Sequence, residues 1–499
     1  MSQHLKDVMW KQLLQRSARD NMSLQGQIRE MLVAAILDGQ LPAGVPIPSS
    51  REMAEQLGVA RNTVVLAYQQ LADEGYLVSR QRSGHFVNTD IVAARLGLRV
   101  RPAQDTPQAT DWARRFRLRP TQQRSIVKPP DWQKYPHPFL YGQFDAALFP
   151  TADWRECCIK SLSVLDIRDW APDQISRDDE SLVQQIRTRV LPRRGVWASA
   201  DEIVITVGAQ HALYMIADLL VREGTRVGME EPGYPDARNI FASRTSELRP
   251  LSVDAEGLPV TETLRDLDFV YTTPNHQCPS TVTMPLVRRE ALLKMADEAD
   301  FILIEDDYES ENRFDGEPIP ALKSLDRSNR VIYVGSLSKT LAPGLRMGYV
   351  VGPAELIAEL RALRRLMLRH PPALIQRAFA LFLSLGHYDA LQRRLTTAQR
   401  ERSDVLRAAL ARHMPQCTVM PASGGGSCWV SLPERFDAKE LAAQARERGV
   451  LIEPGEVFFM ADPPPRQHFR MGYSSIVPAS IEPGVKLLAE LVRGFEHRR

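Results

Sequence analysis

One lysine sits where chemistry would be placed. Val331–Val334 is a short β-branched run, as a buried parallel strand shows, and it breaks at Gly335-Ser336-Leu337-Ser338-Lys339. Arg346 and Gly348 follow, and the chain re-enters a strand at Tyr349-Val350-Val351. A lone lysine among apolar neighbours is usually a solvated residue or an ion-pair partner. Here Ser336, Ser338 and Arg346 supply donors for a phosphate, and an amine desolvated beside cationic groups has a lowered pKa and forms a Schiff base. The strand Phe301–Ile304 then delivers Glu305-Asp306-Asp307-Tyr308. Three carboxylates at one strand end are costly unless a cation or a hydrogen-bond network meets them. A metal would answer, but no histidine cluster or regular carboxylate spacing supports one. A pyridine nitrogen is the better partner, because a carboxylate beside it holds it protonated and makes the ring an electron sink.

Two further turns bear on an anion and a ring. The strand Ile203–Thr206 runs into Val207-Gly208-Ala209-Gln210 and a helix with Leu213, Ile216 and Leu220 inward. Small residues there turn backbone N–H groups and the helix dipole onto an anion. Tyr234, in Glu231-Pro232-Gly233-Tyr234-Pro235, suits a core as well as a cofactor face. From Phe139 onward strand and helix patterns alternate, the mark of an α/β fold. Helix patterns at Trp154–Leu165, Leu391–His413 and Ile481–Phe495, with strands near Cys428–Leu432 and Val450–Ile452, complete it. Gly424-Gly425-Gly426 reads as a turn.

These pieces resemble the fold-type I aminotransferases. VGAQHAL, EPGYPD, TPNHQCPS, EDDYES, GSLSKTLAPGLRMGYV and HFRMGY stand in that family's order over about residues 138–499. The resemblance implies pyridoxal 5'-phosphate as cofactor, with Lys339 as its Schiff-base lysine and Asp306 on the pyridine nitrogen. It puts Tyr308 near the ring hydroxyl and Tyr234 on the ring face. Gly208, Ala209, Gln210, Ser336, Ser338 and Arg346 would surround the phosphate. Arg470 would hold a carboxylate or similar anion of a bound amino compound, a task that suits a planar guanidinium. One segment departs from the family: in Asn275-His276-Gln277-Cys278-Pro279-Ser280-Thr281 the aminotransferases have Asn-Pro-Thr-Gly. Cys278 replaces their asparagine and Thr281 their glycine, so His276 or Asn275 is the expected substitute at the ring hydroxyl.

The N-terminal part is of another kind. Leu24, Ile28, Leu32 and Ile36, with Met31 and Ala35, mark one helical face. Ser49-Ser50-Arg51-Glu52 is a capping box opening a short helix that Gly58 closes. Val64, Tyr68 and Leu71 form the face of a third helix, fronted by Arg61, Asn62 and Thr63. Tyr76–Arg80 and His85–Asn88 then read as two strands about a tip carrying Arg82. This is a winged helix-turn-helix, whose recognition helix sets its first residues at base edges. The stretch IPSSREMAEQLGVARNTVVLAYQQLADEGYLVSRQRSGHFV closely resembles the GntR-type winged helix, which implies DNA contacts from Arg51, Arg61, Asn62 and Thr63, with Gly84 admitting the wing to the minor groove.

Charge separates the parts. Residues 1–90 balance 9 basic against 9 acidic side chains, whereas residues 91–128 hold 9 against 2, so the overall +2 leaves −5 for the rest. Residues 90–137, with six prolines and the run Arg114–Arg119, read as a basic linker, expected to lie on DNA phosphates once the winged helix docks. No apolar stretch reaches the ~20 residues of a membrane span. The N-terminus lacks the apolar core of a secretory signal, and five cysteines without metal-ligand spacing fit a reduced, cytoplasmic protein.

The expectation is an α/β multidomain chain: a winged helix-turn-helix at 22–89, the linker at 90–137, and an aminotransferase-like domain at 138–499 with a smaller lobe from about 390. The arrangement resembles the MocR subfamily of GntR-type regulators. That implies a homodimeric transcription regulator, with pyridoxal phosphate, an operator duplex and a small amino compound as partners. γ-Aminobutyrate, taurine and ectoine-derived amino acids are effectors in such relatives. An active aminotransferase, a regulator sensing pyridoxal phosphate itself, and a DNA-binding scaffold with a dead domain are the alternatives.

Overall fold

A computed structural model describes residues 10–14, 22–80, 84–90, 110–309, 313–314, 319–420 and 424–496, and divides the chain into Met1–Phe116 and Arg117–Arg499. In the first unit α1 (Leu24–Leu37), α2 (Ser50–Leu57) and α3 (Arg61–Asp73) bury Ile28, Leu32, Met53, Val64, Tyr68 and Leu71 in one core. Leu24, expected inward, is 41% exposed, being the first helical residue past the Ser23 cap. Ser49 Oγ accepts from Glu52 N, and the Glu52 carboxylate accepts from Ser49 N at 2.8 Å. This is the expected capping box, worth about 1 kcal/mol. Gly58, at φ 72°, closes α2 as a left-handed cap. The wing is the antiparallel pair β1 (Leu77–Arg80) and β2 (Gly84–Val87), with Leu77 opposite Val87 and Arg80 opposite Gly84.

The second unit centres on a seven-stranded sheet: β3 (Ile203–Thr206), β4 (Val227–Glu231), β5 (Leu248–Ser252), β6 (Phe269–Thr272), β7 (Ile302–Asp307), β8 (Val331–Ser336) and β9 (Gly348–Val351). Their spatial order is β3-β9-β8-β7-β6-β4-β5, parallel except that β9 runs against both neighbours. Tyr333 packs into the apolar layer on one face, and Ile332 and Val334 into the layer on the other. That two-sided burial is why β8 reads as an unbroken apolar run. Helix α4 (Gly208–Leu220) follows β3, and α5 (Pro235–Ala242) follows β4.

The smaller lobe carries α6 (His387–His413), a four-stranded antiparallel sheet and α7 (Pro478–Glu496). That sheet is β10 (Thr418–Val419), β11 (Ser427–Ser431), β12 (Glu453–Pro454) and β13 (His468–Gly472), in the order β10-β11-β13-β12. His137–Pro138 pairs in parallel with Val450–Leu451, and Phe139 is buried in this lobe's core. The span expected as one helix at 154–165 is two, Thr151–Lys160 and Val164–Trp170, because Ser163 caps the second by accepting from Asp166 N. Within the 90–137 span, residues 91–109 lie outside the described set, and from Arg124 the chain is bonded to the second unit. No described helix is long and apolar enough to cross a membrane.

Candidate functional site

The C-terminal ends of the parallel strands open on a cavity of about 170 Å³, where α/β folds place ligands. β8 ends in a one-turn helix, Ser338–Leu341, that carries Lys339 into it. Tyr234, Tyr308, Ser336, Ser338 and Arg346 line the same cavity, and Ala209 and Gln210 reach it from the first turn of α4. Gly208, also on that turn, has φ +77°, and a Cβ there would stand 2.7 Å from Arg346 Nη2. The glycine thereby lets a guanidinium lie against a helix N-terminus, a ready cradle for an anion. The Ser338 hydroxyl donates to Met347 O at 3.1 Å and accepts from Met347 N, so it holds the loop's shape.

Lys339 opens its surface to the cavity, yet protein encloses its Nζ on the other sides. Nζ donates to Tyr141 Oη at 2.7 Å and stands 4.3 Å from the Tyr308 ring centroid. Desolvation lowers its pKa to about 8, against the field of Glu309. Asp306, 4% exposed, accepts from Tyr271 Oη at 2.8 Å on Oδ2, while its Oδ1 has no hydrogen-bond partner among the described residues. Burial raises this carboxyl to about 6.

Strand alternation separates the three carboxylates. Asp307 takes Arg194 Nε at 2.7 Å and Tyr333 Oη at 2.8 Å, and Glu305 takes the N–H groups of Leu322 and Lys323. Among the described residues no His, Cys, Asp and Glu group is arranged to hold a metal ion.

Other expected residues sit behind the cavity wall. His276 is buried, its Nε2 3.1 Å from Glu309 Oε2, and burial lowers its pKa. A Cβ on Gly425 would fall 2.2 Å from His276 Cε1, so the glycines read as a turn serve close packing here. Cys278 is buried in a cluster with Trp429, Phe458 and Phe459. Thr281, standing for the aminotransferases' glycine, keeps a left-handed φ of 69°, and its buried hydroxyl has no partner among the described residues. Arg470, on β13, is 3% exposed and donates through Nε to Glu453 Oε2 at 2.8 Å. Its guanidinium lies between the Tyr141 and Phe458 rings, at 4.5 and 4.7 Å from their centroids. Sequence reasoning missed Tyr141, Tyr271 and Glu453, single residues that no quoted motif contains, and Glu309, which sits in EDDYES beside the residues that drew attention.

In the N-terminal unit Arg51 is exposed on α2, and Arg61 and Asn62 are exposed at the start of α3, with Thr63 half-buried beside them. Ala60 gives α3 no side-chain cap, so no side-chain acceptor covers its first N–H groups. Gly84 has φ +93°, and nothing lies within 4 Å of where a Cβ would be. Arg82 lies outside the described residues.

The model "Aminotransferase class I and II" matches residues 180–486, and "Bacterial regulatory proteins, gntR family" matches 24–87. The chain is 43% identical to the HTH-type transcriptional regulator TauR of Rhodobacter capsulatus, over 94% of this chain and 97% of that protein. It is 33% identical to the probable rhizopine catabolism regulatory protein MocR of Rhizobium meliloti, over 95% of each. The crystal structure of the α-aminoadipate aminotransferase LysN of Thermus thermophilus, complexed with N-(5'-phosphopyridoxyl)-L-leucine, superposes with a TM-score of 0.69 at 27% identity. It covers 78% of this chain and 100% of its own.

Proposed function

The chain belongs to the MocR-type GntR regulators, transcription regulators that join a winged helix-turn-helix to an aminotransferase-like domain, and from that membership we propose a sensor of small anionic amines that depends on pyridoxal phosphate. The observation that carries the reading is Asp306: a buried carboxylate near enough to feel the Lys339 charge, with one oxygen that has no hydrogen-bond partner among the described residues. A protonated pyridine nitrogen is the partner that oxygen lacks.

The residues fit the cofactor. Asp306 Oδ1 would accept the ring N–H, the Tyr234 and Tyr308 rings would bound the ring, and Arg346 with the first turn of α4 would hold the phosphate. Bound there, the cofactor supplies an aldehyde that an amine captures reversibly and a ring that draws electron density from it. Lys339, held near pKa 8 by desolvation, has a neutral fraction ready to attack a carbonyl at neutral pH. Tyr141 orients that amine through its hydroxyl. Arg470 would seat the anionic end of the incoming amine, and Arg51, Arg61, Asn62, Thr63 and Gly84 would meet the operator. A homodimer would read two half-sites, and the ~34 residues 90–123 ahead of the bonded strap can span up to about 120 Å fully extended, so those half-sites need not be adjacent.

The test uses the cofactor-loaded chain, borohydride reduction and operator retention with a panel of amines. Wild type should yield one labelled peptide containing Lys339 and an amine-dependent change in operator binding. Lys339→Ala should lose both. A normal amine response in Lys339→Ala would overturn the reading, and sustained transamination of a keto acid would make the protein an enzyme.

A further inference from the structure

The segment that arrives from the DNA-binding unit is itself bonded to both walls of the site. Arg124 O accepts from Arg238 Nη2 at 3.3 Å and Asn239 Nδ2 at 2.9 Å, both on α5, the helix that Tyr234 caps. The Arg124 guanidinium donates to Ala461 O and Asp462 Oδ1 of the smaller lobe, each at 3.2 Å. Ile126 packs into the cluster of Cys278, Trp429, Phe458 and Tyr234. Two residues on, Lys128 Nζ donates to Tyr141 O and stands 3.6 Å from Glu453 Oε1. Glu453 Oε2 takes Arg470 Nε, whereas Oε1 has no hydrogen-bond partner among the described residues. One buried carboxylate is therefore shared between a cation of this strap and the cation at the anion-binding end of the site.

We infer that Lys128 is a positioning residue for Arg470, and that through Glu453 the strap 124–128 registers an anion seated on Arg470. The inference rests on the proposed reading of Arg470 as the holder of the ligand's anionic end. A second anion beside Arg470 repels Glu453 and shares the guanidinium with it. The carboxylate then turns its bare Oε1 toward Lys128 and closes the 3.6 Å gap to a hydrogen bond. Because Lys128 is also tied to Tyr141 O, the pull falls on the strap's backbone and not on a loose side chain. Tyr141 lies at the junction: its N–H donates to Glu453 at 3.4 Å and its hydroxyl accepts from Lys339.

Full-length, cofactor-loaded protein decides the point with three probes: γ-aminobutyrate and taurine, which carry an anion, and n-propylamine, which does not. Lys128→Met should raise the half-saturating concentration of the anionic amines, read from the bound cofactor's absorbance, by about tenfold, inside the range such coupling residues show. It should leave n-propylamine within about twofold, and Lys128→Arg should restore most of the loss. In hydrogen exchange without any amine, amides 123–128 should open at least about tenfold faster in Lys128→Met than in wild type, and measurably more slowly in Arg470→Gln, where Glu453 freed of the guanidinium turns to Lys128. An equal loss for n-propylamine would reduce Lys128 to packing and overturn the inference. Unchanged or faster exchange in Arg470→Gln would overturn it as well. If the three amines act on wild type indistinguishably, the reading of Arg470 as anion holder fails, while the exchange measurement still decides whether the strap and Arg470 are coupled.

Discussion

Asp306→Asn should make the cofactor-free protein more stable and the cofactor weaker to bind. Burial raises the Asp306 carboxyl from 3.8 to about 6. The folded state therefore holds the acid proton at a higher pH than the unfolded chain, and stability falls as pH rises through that window. Below pH 3.8 both states are protonated and the group is neutral to stability; above pH 6 the full penalty stands. At 1.36 kcal/mol per unit, the shift opposes folding by about 3 kcal/mol at pH 7.5 and by roughly half as much at pH 5. Asparagine carries no charge at any of these pH values and its carbonyl can still accept from Tyr271, so it escapes the penalty. Its lead over wild type in thermal unfolding should thus roughly double between pH 5 and pH 7.5. The same change removes a charge-assisted acceptor for the pyridine nitrogen, worth about 1.5–3 kcal/mol, so the dissociation constant for pyridoxal phosphate should rise about 10- to 150-fold. A variant no more stable than wild type at pH 7.5, or one that binds the cofactor equally well, would show that Oδ1 is not the waiting partner.

Three further perturbations test other parts. Thr281→Gly should stabilise the fold by about 1 kcal/mol: it relieves left-handed strain of about 1–2 kcal/mol and a buried unpaired hydroxyl, against about 1 kcal/mol of glycine entropy and the removal of a methyl; a thermal melt below wild type refutes this. Gly208→Ala, with its Cβ 2.7 Å from Arg346 Nη2, should weaken pyridoxal phosphate by about tenfold or more while leaving unphosphorylated pyridoxal unaffected, as absorbance titration of both would show. Replacing Arg114, Arg115, Arg117 and Arg119 by glutamine should lower the slope of log affinity against log salt by up to about 0.9 for each phosphate that is no longer neutralised; an unchanged slope sinks the idea that the linker lies on DNA.

What the sequence made legible was local. Lys339, Asp306 and Gly208 each sit at the turn where a strand ends, so a few contiguous residues announce both the element and the side chain it presents. The capping box at Ser49 and Glu52 and the wing about Gly84 are legible for the same reason. Glu305 and Asp307 looked as eligible as Asp306 until the strand's pleat turned them to the opposite face, toward Arg194 and the N–H groups of Leu322 and Lys323. Tyr141 meets Lys339 across 198 positions of chain, and Tyr271 was one more aromatic in a β-rich run. Nothing in their neighbourhoods marks them. The strap fails differently: Arg124 and Lys128 belong to a stretch whose charge and prolines describe a solvated linker, and only tertiary structure shows their partners.

In the proposed reading, Tyr141 is the residue through which amine and anion would be sensed together. Its hydroxyl takes the Lys339 amine, and its ring carries the Arg470 guanidinium at 4.5 Å. Its carbonyl takes Lys128, and its N–H faces Glu453. A ligand that displaces Lys339 frees the hydroxyl; a ligand that also brings an anion to Arg470 loads the ring side and the Glu453 pair in the same event. An amine without an anion does only the first, and an anion without an amine only the second. A small residue at Gly472 is what admits this arrangement, since a Cβ there would stand 2.2 Å from Tyr141 N. Tyr141→Phe separates the two halves. It keeps the ring, the backbone hydrogen bonds and the Arg470 stack but removes the lysine's acceptor, so it should alter how amines displace Lys339 and leave exchange of the 124–128 strap as in wild type. If that strap loosened in Tyr141→Phe, the hydroxyl and the ring would not act separately, and the division of labour between them would fall.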